Sequence, residues 1–339
     1  MKKLLTLLAL ALLAPMAQAQ IEWRVSVKMI LDANENRPPT GNFITDEQVS
    51  NTVRRANEIL DATGRGYRYK LTEITNAAGI SRWFNSDRTN STDLEAAAES
   101  SKFFYLYRDN AINVYINGWD GTAICSYPHS PDGSNDIIFM GQGSFLTSFA
   151  HEAGHYFDLR HTFEGEAFLN SDNSPCTAND CSCALWMGGN GDLITDTRND
   201  HECWTTQNHI AGGNYGVNYG SPGSDDAAVD RIFFNLMSYR TDVRDRFTED
   251  QMDRMADTSN DSRFKVANGR TRFVAGYGND ATGNGSSNNR YRTVAKGVAE
   301  SNPGDIVLLA GGNYSQPQTT ITNHVTLRAT RGNVTIGQP

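Results

Sequence analysis

Residues 151–161 read HEAGHYFDLRH, and the spacing of their histidines governs how the rest of the chain is read. On an α-helix His151 and His155 stand one turn apart on the same face, so both imidazoles can reach one ion. Glu152 sits beside them, placed to hydrogen-bond a water on that ion. Once the helix breaks, His161 can swing in as a third ligand, leaving the fourth position of a tetrahedral zinc open for water and substrate. Water on zinc loses its proton near neutral pH, and Glu152 can accept it while the metal polarises a scissile carbonyl. Histidines present for structural reasons are the plain alternative. HExxH arises by chance in on the order of 1% of chains this long, and the third spaced histidine cuts that about fifty-fold.

The stretch resembles the metzincin signature HExxHxxGxxH. Downstream, residues 235–239 read NLMSY and resemble the Met-turn of the same group. A methionine in an apolar run is by itself more often core packing. The resemblance implies that Met237 lies beneath the zinc site and that Tyr239 donates a hydrogen bond to the oxyanion of the tetrahedral intermediate. Within the metzincins the chain looks most like the pappalysin family, through HEAGHYFDLRHTF, GDLITDT at 191–197, and NLMSY followed by RFTEDQMDRM at 246–255. This likeness spans about residues 21–260. It implies a zinc endopeptidase acting on proteins or peptides, with its cleft between an upper sheet subdomain and a lower, loop-rich one. The family has Gly where this chain has Asp158; Asp tolerates a left-handed backbone at a cost of about 1 kcal/mol, so the turn toward His161 is retained.

Two finer expectations come from the same resemblance. GDLITDT matches a calcium site, with Asp192, Thr197 and the carbonyl of Thr195 as its oxygen ligands; hard oxygen donors suit calcium, and a solvated acidic loop is the alternative. Asp242 matches a position at the base of the pocket for the residue after the scissile bond. An acidic floor would favour Arg or Lys there, unless Asp242 is simply a surface residue.

Upstream of the motif the pattern is that of a sheet with covering helices. Val25, Val27, Met29 and Leu31 alternate with Ser26, Lys28 and Ile30 as in a strand with one buried face. Thr45 and Gln48 form a capping box, and the helix after them carries Val49, Val53, Ala56 and Leu60 on one stripe before stopping at Gly64 and Gly66. Tyr67, Tyr69 and Leu71 read as a second strand, Thr92 and Glu95 as the cap of another helix, and Ile112–Ile116 and Ile137–Met140 as further strands. A long helix is expected from about Phe145. The fold class is therefore α+β: a mixed twisted sheet plus the helix carrying the motif and a loop-rich lower part, followed by a short all-β segment.

The charge of the 339-residue chain, −9, divides unevenly. Residues 20–262 are net −17 and residues 263–339 net +6, and a Gly- and Asn-rich run lies at 276–289. A boundary is expected near residue 265, giving a peptidase-like unit over 20–264 and a second segment over 265–339. Net acidity argues against nucleic acid as the main partner. Residues 1–19 pair Lys2 and Lys3 with an apolar stretch and a small-residue site at Ala17–Ala19, as in a cleaved secretory signal, and no later run is apolar enough to span a membrane. The first strand starts so soon after that site that no propeptide is expected. In an exported chain Cys176, Cys181, Cys183 and Cys203 read as two disulfides of open pairing with Cys125 left over; a structural zinc site is the alternative.

From residue 270 onward, RTRFVAGYGNDATGNG, a helical stretch around Tyr291–Ser301, NPGDIVLLAGGNY and short apolar strands at 319–321, 325–328 and 334–336 resemble the start of a right-handed parallel β-helix of the pectin-lyase-like kind. A small β-sandwich is the other reading. Glycan binding or surface attachment through this segment follows only by fold analogy. For the whole chain, the rival to a zinc endopeptidase is a non-catalytic adhesin built on the same scaffold, and hydrolysis of a non-peptide bond is a third reading. Glu152 and Tyr239 favour the enzyme, because zinc held for structure alone needs neither.

Overall fold

The computed structural model describes residues 20–38, 44–121, 124–125, 136–164, 167–169, 185–188, 191–197, 233–240, 243–317, 320–322 and 324–337, with backbone alone at 88, 125, 167–169 and 185–188. The expected signal segment, Asp242 and Cys176, Cys181, Cys183 and Cys203 lie outside the described residues.

A five-stranded sheet is built from β1 (Ile21–Ile30), β2 (Tyr67–Ala77), β3 (Ile112–Asn117), β4 (Ile124–Cys125) and β5 (Ile137–Gly141). Its order is β2-β1-β3-β5-β4, parallel except for β4 against β5. From Val25 onward β1 is buried on both faces, including Ser26 and Lys28, where the alternation had suggested one. The cause is its position: a central parallel strand is covered on both sides. Lys28 Nζ is accommodated by Ser26 Oγ and Asn113 Oδ1, each at 2.6 Å.

One face of the sheet packs under α1 (Asp46–Ala62) and α3 (Gln142–Tyr156), joining Val25, Val27 and Met29 to Val49, Val53, Leu60, Phe145 and Phe149. The other face sits on Ile80, Trp83, Phe84 and α2 (Ser91–Ser100) through Ile30, Tyr115 and Phe139. α1 starts with the expected box, Thr45 Oγ1 accepting from Gln48 N while Gln48 Oε1 accepts from Thr45 N. It gives way to left-handed Gly64 and Gly66. α2 departs from expectation. Its N-cap is Asn90 without a side-chain cap bond, and Glu95 is buried, accepting Asp136 N at 2.6 Å rather than closing a box with Thr92.

β5 runs straight into α3, which is what aims the histidines. Gly141 is the hinge: a Cβ there would meet the carbonyl oxygens of Trp119 and Gly121 at 2.5 and 2.7 Å, so only glycine permits the strand to end against that loop. A short hairpin, β6 (Ala167–Leu169) with β7 (Leu185–Gly188), follows, then α4 (Glu249–Asn260) behind its own capping box of Thr248 and Gln251.

The last elements are β8 (Thr271–Val274), α5 (Val294–Ala299), β9 (Ile306–Ser315) and β10 (Thr326–Gly337). The three strands form a parallel sheet in which Thr271, Ile306 and Thr326 lie in one register. The expected strands at 325–328 and 334–336 are one strand with an irregularity between Thr330 and Val334, and Thr320 and Ile321 belong to none. A single parallel sheet with a helix on it is not a sandwich. Phe273, Ile306 and Leu308 enter the same core as Trp23, Met252 and Val266. The opposite charges meet here too: Arg290 reaches Asp253 at 3.0 Å and Arg331 pairs with Glu249 and Asp250.

Candidate metal centre

α3 carries its histidines to the end of the helix and then stops abruptly. Asp158 N donates to His155 O (2.9 Å) and Leu159 N to Gly154 O (3.0 Å), the paired bonds of a Schellman turn. Such a turn requires a left-handed residue after the helix, and Asp158 takes it at φ 69°. Its carboxylate is held by Arg254 of α4, with Nε donating at 2.7 Å. The turn brings Leu159 O to His155 Nδ1 (2.7 Å) and lets the chain double back so that His161 faces the helix.

His151 and His155 are buried, and His161 nearly so. Their Nε2 atoms converge, His155 lying 3.2 Å from His151 and 3.1 Å from His161. Nδ1 of His151 faces Leu236 O at 2.6 Å and Nδ1 of His155 faces Leu159 O, so each proton sits on Nδ1 and each Nε2 presents a lone pair to the centre. Lone pairs at that separation repel unless a cation lies among them. Burial holds the His155 pKa down to about 4 and that of His161 to about 2, and pushes His151 well below its usual value, so all three are neutral donors at physiological pH. Three neutral imidazoles converging in this way fit zinc. Among the described residues they are also the group of His, Cys, Asp and Glu side chains close enough to share an ion.

Glu152 is buried on the same turn. Met237 is fully buried directly beneath the helix, where a Cβ on Gly154 would meet its Sδ at 2.5 Å. Its carbonyl accepts Thr162 N (3.2 Å), which ties the turn at 235–239 to the strand of chain leaving His161. Tyr239 stands against the triad, ring to ring with His161 at 4.7 Å, and Phe163 stacks on His161 at 4.9 Å while also meeting the Tyr239 ring edge-on at 4.7 Å. The expected zinc, base and Met-turn residues are thus brought to one place.

Asp192, Thr195 and Thr197 share one loop apart from the triad. Asp192 Oδ1 accepts from Thr197 Oγ1 (2.5 Å) and Ile194 N (3.0 Å), and burial pushes its pKa up to about 7. Asp196, which sequence reasoning passed over, has its Oδ1 buried without a hydrogen-bond partner. Gly154, Arg244 and Arg254 were also missed, since each acts through contacts that no local motif announces.

A family model named Peptidase_M43, described as pregnancy-associated plasma protein-A, matches residues 112–260 of this chain. Among solved structures, the chain is similar to mirolysin in complex with compound 9, at 18% identity and TM-score 0.47, covering 73% of this chain and 96% of that one. It also matches a chaperone-substrate complex at 13% identity and TM-score 0.30, covering 44% of this chain and 26% of that one. No curated protein matches. The family match, which contains α3 and the turn at 235–239, supports a metallopeptidase of the metzincin type.

Proposed function

We propose that the chain is a secreted zinc-dependent endopeptidase. The observation that carries this is the convergence of three Nε2 lone pairs from His151, His155 and His161 beside a buried Glu152. Zinc held there supplies Lewis acidity toward the scissile carbonyl and toward water. Glu152 takes a proton from the attacking water as its oxygen bonds to the carbonyl carbon. As the C–N bond breaks, the same carboxyl returns that proton to the departing amine. Tyr239 donates its hydroxyl to the oxyanion that forms on the carbonyl oxygen. Backbone carbonyls 159 and 236 keep the His155 and His151 rings in one tautomer and orientation throughout.

Asp242 sets a preference for Arg or Lys after the scissile bond, supported by the net acidity of residues 20–262. Calcium binds at Asp192, Thr195 and Thr197, supported by the buried carboxylate of Asp192 and by the buried, unpartnered Oδ1 of the partly exposed Asp196 in the same loop. The three parallel strands at the C-terminus are the first coils of a β-helix that contacts glycans or a surface. Export is supported by the composition of residues 1–19; no helix among the described residues is long and apolar enough to cross a membrane.

The test is hydrolysis of casein by the full chain. Glu152→Gln should retain the metal and lose hydrolysis by about a hundredfold or more. Undiminished hydrolysis would remove the mechanism.

A further inference from the structure

Arg244 has no part in the chemistry above, yet its guanidinium is drawn into the floor of the site. Nη1 donates to Ser238 O at 3.0 Å and lies 3.4 Å from Leu236 O, and Nη2 donates to Ser148 Oγ at 3.2 Å. Ser148 is on α3, three residues before His151. The carbonyls of 236 and 238 flank Met237, and the second of them immediately precedes Tyr239. Leu236 O is also the oxygen that fixes His151 Nδ1. Nη1 comes within 3.0 Å of that same Nδ1, and because both atoms carry protons they converge on the shared carbonyl rather than bond to each other. One planar, forked donor therefore spans the helix and both sides of the turn, a geometry that an ammonium cannot reproduce.

Even partial burial of a guanidinium is costly unless its hydrogen bonds are made, and this one makes them to the helix and to the turn. We infer that Arg244 is a positioning residue: it locks the turn at 235–239 to α3 and so sets both the orientation of His151 and the placement of Tyr239 relative to the metal-binding face. This rests on the zinc-peptidase reading.

The experiment compares the full-length protein with Arg244→Met and Arg244→Lys, measuring kcat and KM on one peptide, the rate of zinc release to a chromogenic chelator, and the melting temperature. Loss of a group that orients a metal ligand typically costs about 10–100-fold in metal affinity or activity. For Arg244→Met we expect kcat to fall about tenfold or more with KM within about twofold, and zinc release to quicken about tenfold, with Arg244→Lys in between. Wild-type kcat and zinc release in Arg244→Met, even with a lower melting temperature, would reduce Arg244 to a stabilising residue and overturn the inference. Should Arg244→Met fail to fold, Ser148→Ala removes only the anchor on α3; it should lower kcat and quicken zinc release severalfold, and unchanged values overturn the inference equally. A wild-type protein that neither binds zinc nor cleaves peptide fails the functional reading itself, before any variant is compared.

Discussion

Replacing Gly154 by alanine sets two effects of opposite sign against each other. Gly154 lies inside α3, where Gly→Ala ordinarily stabilises a helix by about 1 kcal/mol. Here the new methyl would stand 2.5 Å from Met237 Sδ, with Met237 Cε and Phe247 Cε1 at 3.3 and 3.4 Å. Carbon and sulfur need roughly 3.5–4 Å, so the thioether must retreat by about 1 Å or more. It has little room to do so. Met237 is 0% exposed, and its backbone is pinned by Asn235 Oδ1 on its N–H at 2.8 Å and by Thr162 on its carbonyl. Overpacking of this kind costs about 1–3 kcal/mol, so the clash outweighs the propensity gain and Gly154→Ala should be destabilising by about 1 kcal/mol net. At this chain length that is a fall of a few degrees in Tm, roughly 2–4 °C per kcal/mol. Met237→Ala should itself cost about 2–5 kcal/mol, but in that background Gly154→Ala should become stabilising. Urea unfolding of the four proteins gives the coupling, expected at about 1–3 kcal/mol. If Gly154→Ala alone stabilises, or acts the same with and without the Met237 side chain, the packing account is refuted.

Two further outcomes follow from buried charges. Asp158→Gly trades relief of a left-handed backbone against loss of the Arg254 pair and should change stability by less than about 1 kcal/mol, whereas Asp158→Ala keeps the strain and loses the pair, ending about 1–2 kcal/mol below the glycine variant in urea unfolding. Equal stabilities for the two would show that φ at 158 is not what the residue is chosen for. Burial lowers the Lys28 pKa to about 7, against about 10.4 in an unfolded chain, so between those values the unfolded state binds more protons. Stability should therefore rise as pH climbs from about 7 toward 10, and Lys28→Met should flatten that rise in urea titrations across the range; an identical slope in both proteins counts against a buried, depressed lysine.

Local chemistry was legible from sequence and tertiary chemistry was not. The Thr45–Gln48 box works through side chains bonding their own helix's first turn, so its pattern survived into the fold. Thr92 and Glu95 offer a similar spacing, but Glu95 is captured by Asp136 N from forty-one residues away, and a distant partner leaves no local trace. The same contrast holds at the site. HExxHxxxxxH is a helical spacing plus a turn, and it placed all three histidines. Arg254 reaches Asp158, and Arg244 reaches Ser148, across more than ninety residues, and neither arginine belongs to any periodic pattern. The change of charge sign after residue 262 was visible in composition. That the basic segment docks on the acidic start of α4 while sending Phe273, Ile306 and Leu308 into the shared core was not, because alternation says that a strand is buried without saying against what.

The central claim is tested most directly by metal content and hydrolysis measured on the same preparation. Purified full-length protein should carry about one zinc per chain, lose both the zinc and its casein hydrolysis to a strong chelator, and regain both when zinc is restored. His155→Ala should abolish the stoichiometric zinc. A chain that carries no zinc, or whose hydrolysis survives complete removal of metal, would contradict the reading of His151, His155 and His161 as a catalytic metal centre.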